Sequence, residues 1–200
     1  SAASDVYKRQ IPLPPAFHYE WAKKALLAGK HVFLEKPSTT SADDTKELVG
    51  IAGEKGLVVQ ENYMFQFHAQ LKEIENLIAS GELGKLRLVR TSFGFPRRAE
   101  GDFRYVKELG GGTMMDNGGY TIKLIDMLLG ESMRLVSSQL DYDEKTGIDI
   151  FGTAEFVNDD GVIAQAAFGM DCQYQCSLEL WGSRGRLTTG TVSYTHLTLP

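Results

Sequence analysis

Apolar residues recur along this chain with two periods, one helical and one alternating. Between residues 16 and 28, Trp21, Ala22, Ala25, Leu26 and Ala28 make one helical face and Gly29 follows as a stop. Ser41 with Asp44 three positions on has the form of a capping box. It opens a second helix with Leu48, Val49, Ile51 and Ala52 inward and Gly56 after it. Leu71, Ile74, Leu77 and Ile78 predict a third helix over 68–80, which "GELGK" breaks, and 112–129 reads as a fourth. Short apolar runs lie between these helices. Ile11 to Pro14 looks like the end of a strand, Val32-Phe33-Leu34 a buried strand and Leu57-Val58-Val59 the start of the next. Strands at about that pace, with helices between, predict right-handed βαβ units in a parallel sheet. Beyond Gly84 the pattern changes. Residues 85–95 alternate as a strand, and after the fourth helix come strand-like runs at 133–141, 148–157, 162–170 and 174–182. Their links, such as "NDDG", are too short for helical crossovers and predict an antiparallel meander. The fold class is α/β in two domains: 11–83, a parallel sheet lacking its first strands, and 84–191, with an open, mainly antiparallel sheet.

The two ends stand apart from this pattern. "SAASDVYKRQ" and "VSYTHLTLP" can be encoded by complementary DNA strands and resemble a transposase-type sequencing adaptor, so residues 1–10 and 192–200 are expected to be foreign to the fold. The chain then reads as an internal fragment, expected to be inactive, to bind cofactor poorly and to aggregate through an unpaired edge at Ile11 to Pro14.

Charge and composition narrow the partners. A formal net charge of −5 argues against nucleic acid or an anionic membrane surface, and no apolar run approaches a membrane span. If "YQCSLELWG" is a strand, Cys172 and Cys176 are separated by roughly 13 Å, too far for a mutual disulfide. His18, His31 and His68 show no metal-ligand spacing, so no metal is expected.

Two stretches carry candidate chemistry. "HVFLEKP" leaves Lys36 at the carboxyl edge of a strand, where open α/β sheets keep their ligands, and an ammonium there can polarise a carbonyl or donate a proton. "ELGGGTMMDNGGYTIKLIDMLLG" places Asp116 and Tyr120 one helical turn apart on one face. Gly118 and Gly119 between them weaken a helix by about 1 kcal/mol each against Ala, which makes sense where something approaches the backbone closely. The plainer readings are a solvated Glu35–Lys36 pair, a capping Asp116 and a packed Tyr120. No G-x-G-x-x-G occurs anywhere.

"FHYEWAKKALLAGKHVFLEKP", "GGGTMMDNGGY" and "LWGSRGRL", in this order, resemble the glucose-fructose oxidoreductase, inositol dehydrogenase and MocA family of nicotinamide-dependent oxidoreductases. "ENYMFQFHAQ", "FRYVKELGGG" and "FGMDCQYQCSLELWGS" are most similar to its nucleotide-sugar 3-ketoreductase branch. The resemblance implies a Rossmann domain, NADP or NAD as cofactor, a small-molecule sugar substrate, a cytoplasmic enzyme and homo-oligomerisation through the C-terminal sheet. It implies catalytic roles for Lys36, Tyr120 and Asp116. Leu13, His18, Glu35, Lys36, Arg104 and Asp116 would contact cofactor or orient the catalytic pair, and Lys36, Tyr120 and Tyr174 would meet substrate. Leu13 is otherwise sheet core, His18 a helix-start residue, Arg104 a loop cation and Tyr174 a packed aromatic. The preferred reaction is hydride transfer at a nucleotide-linked 3-keto sugar. Inositol, dihydrodiol or aldose oxidation is the enzymatic alternative, and a sugar- and dinucleotide-binding regulator without turnover is the rival from another class.

Overall fold

The capping signal at Ser41 works as its spacing predicts: the hydroxyl accepts the Asp44 N–H at 3.4 Å, and helix α2 (Ala42–Glu54) starts beside it. In the computed structural model, which describes residues 7–190 and 195–198, α2 and α1 (His18–Leu27) pack on a parallel sheet ordered β1 (Lys8–Ile11), β2 (His31–Leu34), β3 (Val59–Glu61). Leu26, Leu34 and Leu48 are fully enclosed between these layers with Ile11, Ala22, Val32 and Ala52. Each such leucine contributes about 1.5–3 kcal/mol by leaving water.

Two inward assignments are corrected. Trp21 is 50% exposed and Val49 58% exposed. The buried stripe of α1 is His18, Ala22 and Leu26, four residues apart, so Trp21 lies a quarter-turn off it and stacks under Lys24 instead. Ala28 is also exposed. Parts of both tails nonetheless take up strand positions. Residues 8–10 pair with β2 in register, Gln10 opposite Phe33, because strand pairing uses backbone groups and an outer strand tolerates charged side chains. At the other end, β10 (Thr195–Thr198) pairs with β9 (Arg186–Thr189). Residues 1–6, 192–194 and 199–200 of the expected foreign tails lie outside the described residues, as does Thr191.

The second sheet runs β10-β9-β8-β4-β7-β6-β5, with β4 (Leu86–Gly94), β5 (Arg134–Tyr142), β6 (Asp149–Val157), β7 (Ile163–Gly169) and β8 (Gln175–Gly182). β5, β6 and β7 form the expected meander, but β8 does not join it. β4 lies between them, parallel to β7 and antiparallel to β8. The link at 170–174 serves either arrangement, since skipping one strand means crossing only about 10 Å.

Helix α3 (Ala69–Ser80), capped by His68, belongs to this second layer: its Leu71 and Ile74 are buried with Leu83, Val89, Ile125 and Leu178. The domain change expected near Gly84 therefore falls before α3, around the helical turn Met64–Phe67. α4 (Gly119–Leu129) covers the same face. The fourth helix is continuous, as expected, but its first part is a wide π turn, Met114–Gly118, that opens directly into α4.

Candidate active site

β2 ends at Leu34 and delivers Glu35 and Lys36 to the carboxyl edge of the parallel sheet, followed by a cis Lys36–Pro37 bond. The π turn brings Asp116 to the same place from the second domain. Lys36 Nζ donates to the Asp116 carbonyl at 2.7 Å and to its carboxylate, whose other oxygen accepts from Arg104 Nε at 2.6 Å. Arg104 is in turn held by Asp102 at 3.1 Å. Burial pushes the Asp116 carboxyl up, yet the Lys36 ammonium and the Arg104 guanidinium outweigh it and hold the group below the usual carboxylate range.

Tyr120, one helical turn beyond Asp116, also meets Lys36. The ammonium lies 4.9 Å from the ring centroid, so the contact is through the face of the phenol. The ring is boxed in by Tyr63 at 5.0 Å, Phe93 at 5.4 Å and Phe65 at 5.8 Å between centroids. Burial, then the negative charges of Asp116 and Glu35, raise the pKa of its hydroxyl, with Arg104 opposing. The phenol therefore keeps its proton at neutral pH.

The close approach inferred at the paired glycines is real. A Cβ at Gly119 would overlap the Tyr63 hydroxyl, and one at Gly118 would press on the Phe168 ring at 3.2 Å. Gly119 thus lets the helix lie against Tyr63 of the first domain, and Gly118 lets it lie on β7 of the second sheet.

A cleft of about 350 Å³ gathers Leu13, Glu35, Lys36, Arg104 and Asp116 with Pro12, Pro14 and Gly110–112. A second cavity, about 530 Å³, is walled by Tyr120 and Tyr174 with Phe65, Leu71, Phe93 and Leu178. His18 is not in the cleft. It is fully buried behind it, with Nδ1 2.7 Å from the Pro37 carbonyl and Nε2 2.6 Å from the Leu13 carbonyl, linking the loops that follow β1 and β2. Glu35 accepts from Asn62 Nδ2 at 2.8 Å.

Sequence reasoning missed Asn117, which is fully buried. Its amide donates to the Phe93 carbonyl at 2.9 Å and the Gly169 carbonyl at 2.7 Å, pinning the π turn to the ends of β4 and β7. An Asn inside a helix, beside two glycines, was the available signal. Tyr63 and Phe93 carried none, since their role depends on contacts distant in sequence. Among the described residues, no cluster of His, Cys, Asp and Glu could hold a metal, and no helix is long and apolar enough to cross a membrane.

Comparison with known proteins follows this division of the chain. Residues 6–63 match the model of the oxidoreductase family with NAD-binding Rossmann fold, and residues 71–188 match the GFO/IDH/MocA C-terminal domain. A dTDP-3,4-didehydro-2,6-dideoxy-alpha-D-glucose 3-reductase of Streptomyces violaceoruber is 41% identical over 92% of this chain and 54% of its own length. One from Saccharopolyspora spinosa is 39% identical over 92% and 55%. The chain thus spans about half the length of the curated relatives it matches. KijD10, a 3-ketoreductase from Actinomadura kijaniata solved with NADP and TDP-benzene, superposes with a TM-score of 0.92 at 32% identity, covering 97% of this chain and 65% of that one. The same enzyme has been solved with a tyrosine replaced by phenylalanine and with a lysine replaced by alanine. A Rossmann-type sheet, a mainly antiparallel second sheet and both family models in order establish that this chain belongs to the GFO/IDH/MocA family of oxidoreductases.

Proposed function

We propose that this chain is part of an NADP- or NAD-dependent oxidoreductase that transfers hydride between nicotinamide and the C3 carbonyl of a nucleotide-linked keto sugar. The observation that carries the reading is Lys36, clamped by Asp116 on one side and seated on the Tyr120 ring on the other. The cleft suits the nicotinamide end of a dinucleotide: Leu13 and Pro14 offer an apolar face, and Glu35 an acceptor for ribose hydroxyls. The cofactor supplies the hydride. Lys36 polarises the substrate carbonyl, Asp116 and Arg104 hold that ammonium in place, and Tyr120 gives its proton to the oxygen as negative charge develops there.

The second cavity supports a deoxygenated sugar, the kind named for the relatives. Of the polar side chains around it, Thr91 donates to the Thr121 carbonyl, Thr121 to the Gly118 carbonyl, and Thr189 accepts the Leu178 N–H. Those three hydroxyls are engaged by the backbone, and beside Tyr120 and Tyr174 the apolar Phe65, Leu71, Phe93 and Leu178 share the wall with His68, Gln70, Ser92 and Ser177. Exposed Leu135, Val136 and Trp181 support self-association through the second sheet. β1 is the outer strand of its sheet and borders an open groove with Trp21 and Ala25, so the activity is assigned to the complete protein rather than to these residues alone.

The test expresses the complete reading frame and follows NADPH and NADH absorbance with a 3-keto nucleotide sugar and with inositol. Turnover of the nucleotide sugar is the expected result. Oxidation of free polyols only would overturn the substrate, and tight cofactor binding without turnover of any sugar would overturn the enzyme in favour of a sensor.

A further inference from the structure

Gly112 joins both halves of the ion network through its backbone. Its N–H donates to the Arg104 carbonyl at 3.0 Å, and its own carbonyl accepts the Asp116 N–H at 3.0 Å. The peptide is held at a φ of +120°, a conformation that favours glycine. A Cβ there would overlap the carboxylate of Asp149, the first residue of β6. That carboxylate accepts the Met114 N–H at 2.7 Å and is also hydrogen-bonded by the Thr113 backbone. It is therefore wrapped around the turn from which Asp116 emerges two residues later. Burial works against its charge, and the backbone N–H groups offset that only in part, so the carboxyl titrates above its ordinary value.

We infer that Asp149 is a positioning residue for the proposed reaction: by gripping the turn at Gly112, Thr113 and Met114 it fixes Asp116 between Lys36 and Arg104. Nothing in the sequence pattern marks it, because it lies on a strand 33 positions from Asp116. It lines neither the cleft nor the second cavity, so it acts only through the turn. The inference rests on the proposed function for its consequence in turnover, but the geometry it describes can be read without substrate.

The experiment compares wild type, Asp149→Ala and Asp149→Asn in the complete protein by two readouts. The first is the rate at which trace acetic anhydride labels Lys36, resolved by mass spectrometry against surface lysines such as Lys46 and Lys145. The second is steady-state turnover. Loosening Asp116 exposes Lys36 to the reagent, so labelling rises several-fold in Asp149→Ala while the surface lysines keep their rates. kcat falls about ten- to a hundredfold with cofactor KM changed less than about twofold, since a misplaced catalytic group costs rate more than binding. Asp149→Asn keeps one acceptor oxygen and falls between wild type and Ala. A lowered melting temperature with Lys36 labelling and kcat both unchanged would make Asp149 an ordinary helix cap and overturn the inference. Should Asp149→Ala fail to fold, Asp149→Asn decides alone, and wild-type values in both readouts overturn it. If the wild type turns over no sugar, the proposed function fails while the labelling still judges Asp149.

Discussion

The two sides of Lys36 are built from opposite materials. Toward the cleft its ammonium meets a carboxylate shared with Arg104, in a chain of charge that ends at Asp102. Toward the second cavity it meets a phenol held by three other aromatic rings, two from the first domain's exit and one from β4. Charges in such a place stabilise only as a set, because each one is costly once its partner is gone. Rings in a box are held by area and shape, and lose stability by increments. The charged side can thus fix where the ammonium points, and the aromatic side can tolerate the movements of a reacting group. Under the proposed function, that contrast suits Asp116 and Arg104 to positioning and Tyr120 to proton delivery.

Removing the carboxylate should break the comparison most severely. Asp116→Ala leaves Lys36 and Arg104 facing each other half-buried, and the expected loss is about 3 kcal/mol in denaturant unfolding, together with nearly all turnover. A loss below about 1 kcal/mol would show that water already screens the pair. Tyr120→Phe tests the other side. The ring box is retained, so stability should change little, while kcat falls about 10²-fold or more at nearly constant KM. Near wild-type turnover would remove Tyr120 as donor and leave Lys36 in that role.

Part of this contrast was legible in the chain. Lys36 at a strand's carboxyl edge and Asp116 with Tyr120 at helical spacing are local facts, and the structure brings all three together. The glycine pair announced a close approach, although the sequence could not say that Tyr63 and Phe168 make it. Helical period fixed the existence of α1 and α2, but it left the direction of the buried stripe open by a quarter-turn, which misplaced Trp21 and Val49. Sheet order was the least legible property. β4 separates β7 from β8 because of pairings across some 80 residues, and short links carry no record of that choice. His18 shows a related gap: its motif position pointed to the cofactor, whereas its ring lies behind the cleft and ties two loops together.

The contact between the domains offers a smaller test. Gly119→Ala drives a methyl into the Tyr63 hydroxyl and should destabilise by about 1–3 kcal/mol while displacing Tyr120. Tyr63→Phe in the same chain removes the clashing oxygen and should recover much of that loss. Strict additivity of the two substitutions would mean that the helix backs away as a unit rather than colliding at that atom.

The finest distinction is in acid. Asp116 has a folded pKa below its unfolded value of about 3.9, so its contribution to stability is present above that pH and is lost as pH falls through the lower folded value. Asp149 has the opposite sign: its folded pKa is raised, and what it contributes is present below the unfolded value and lost as pH rises through the folded one. Substituting Asp116→Asn should therefore flatten the acid limb of the stability curve, with the gap to wild type wide at pH 5 and closing toward pH 2. Asp149→Asn should change the curve in the opposite sense, narrowing its gap as pH rises. A constant gap for Asp116→Asn across that range would mean that Lys36 and Arg104 hold the side chain by shape and hydrogen bonding rather than by its charge, and the two sides of Lys36 would then differ less than their chemistry indicates.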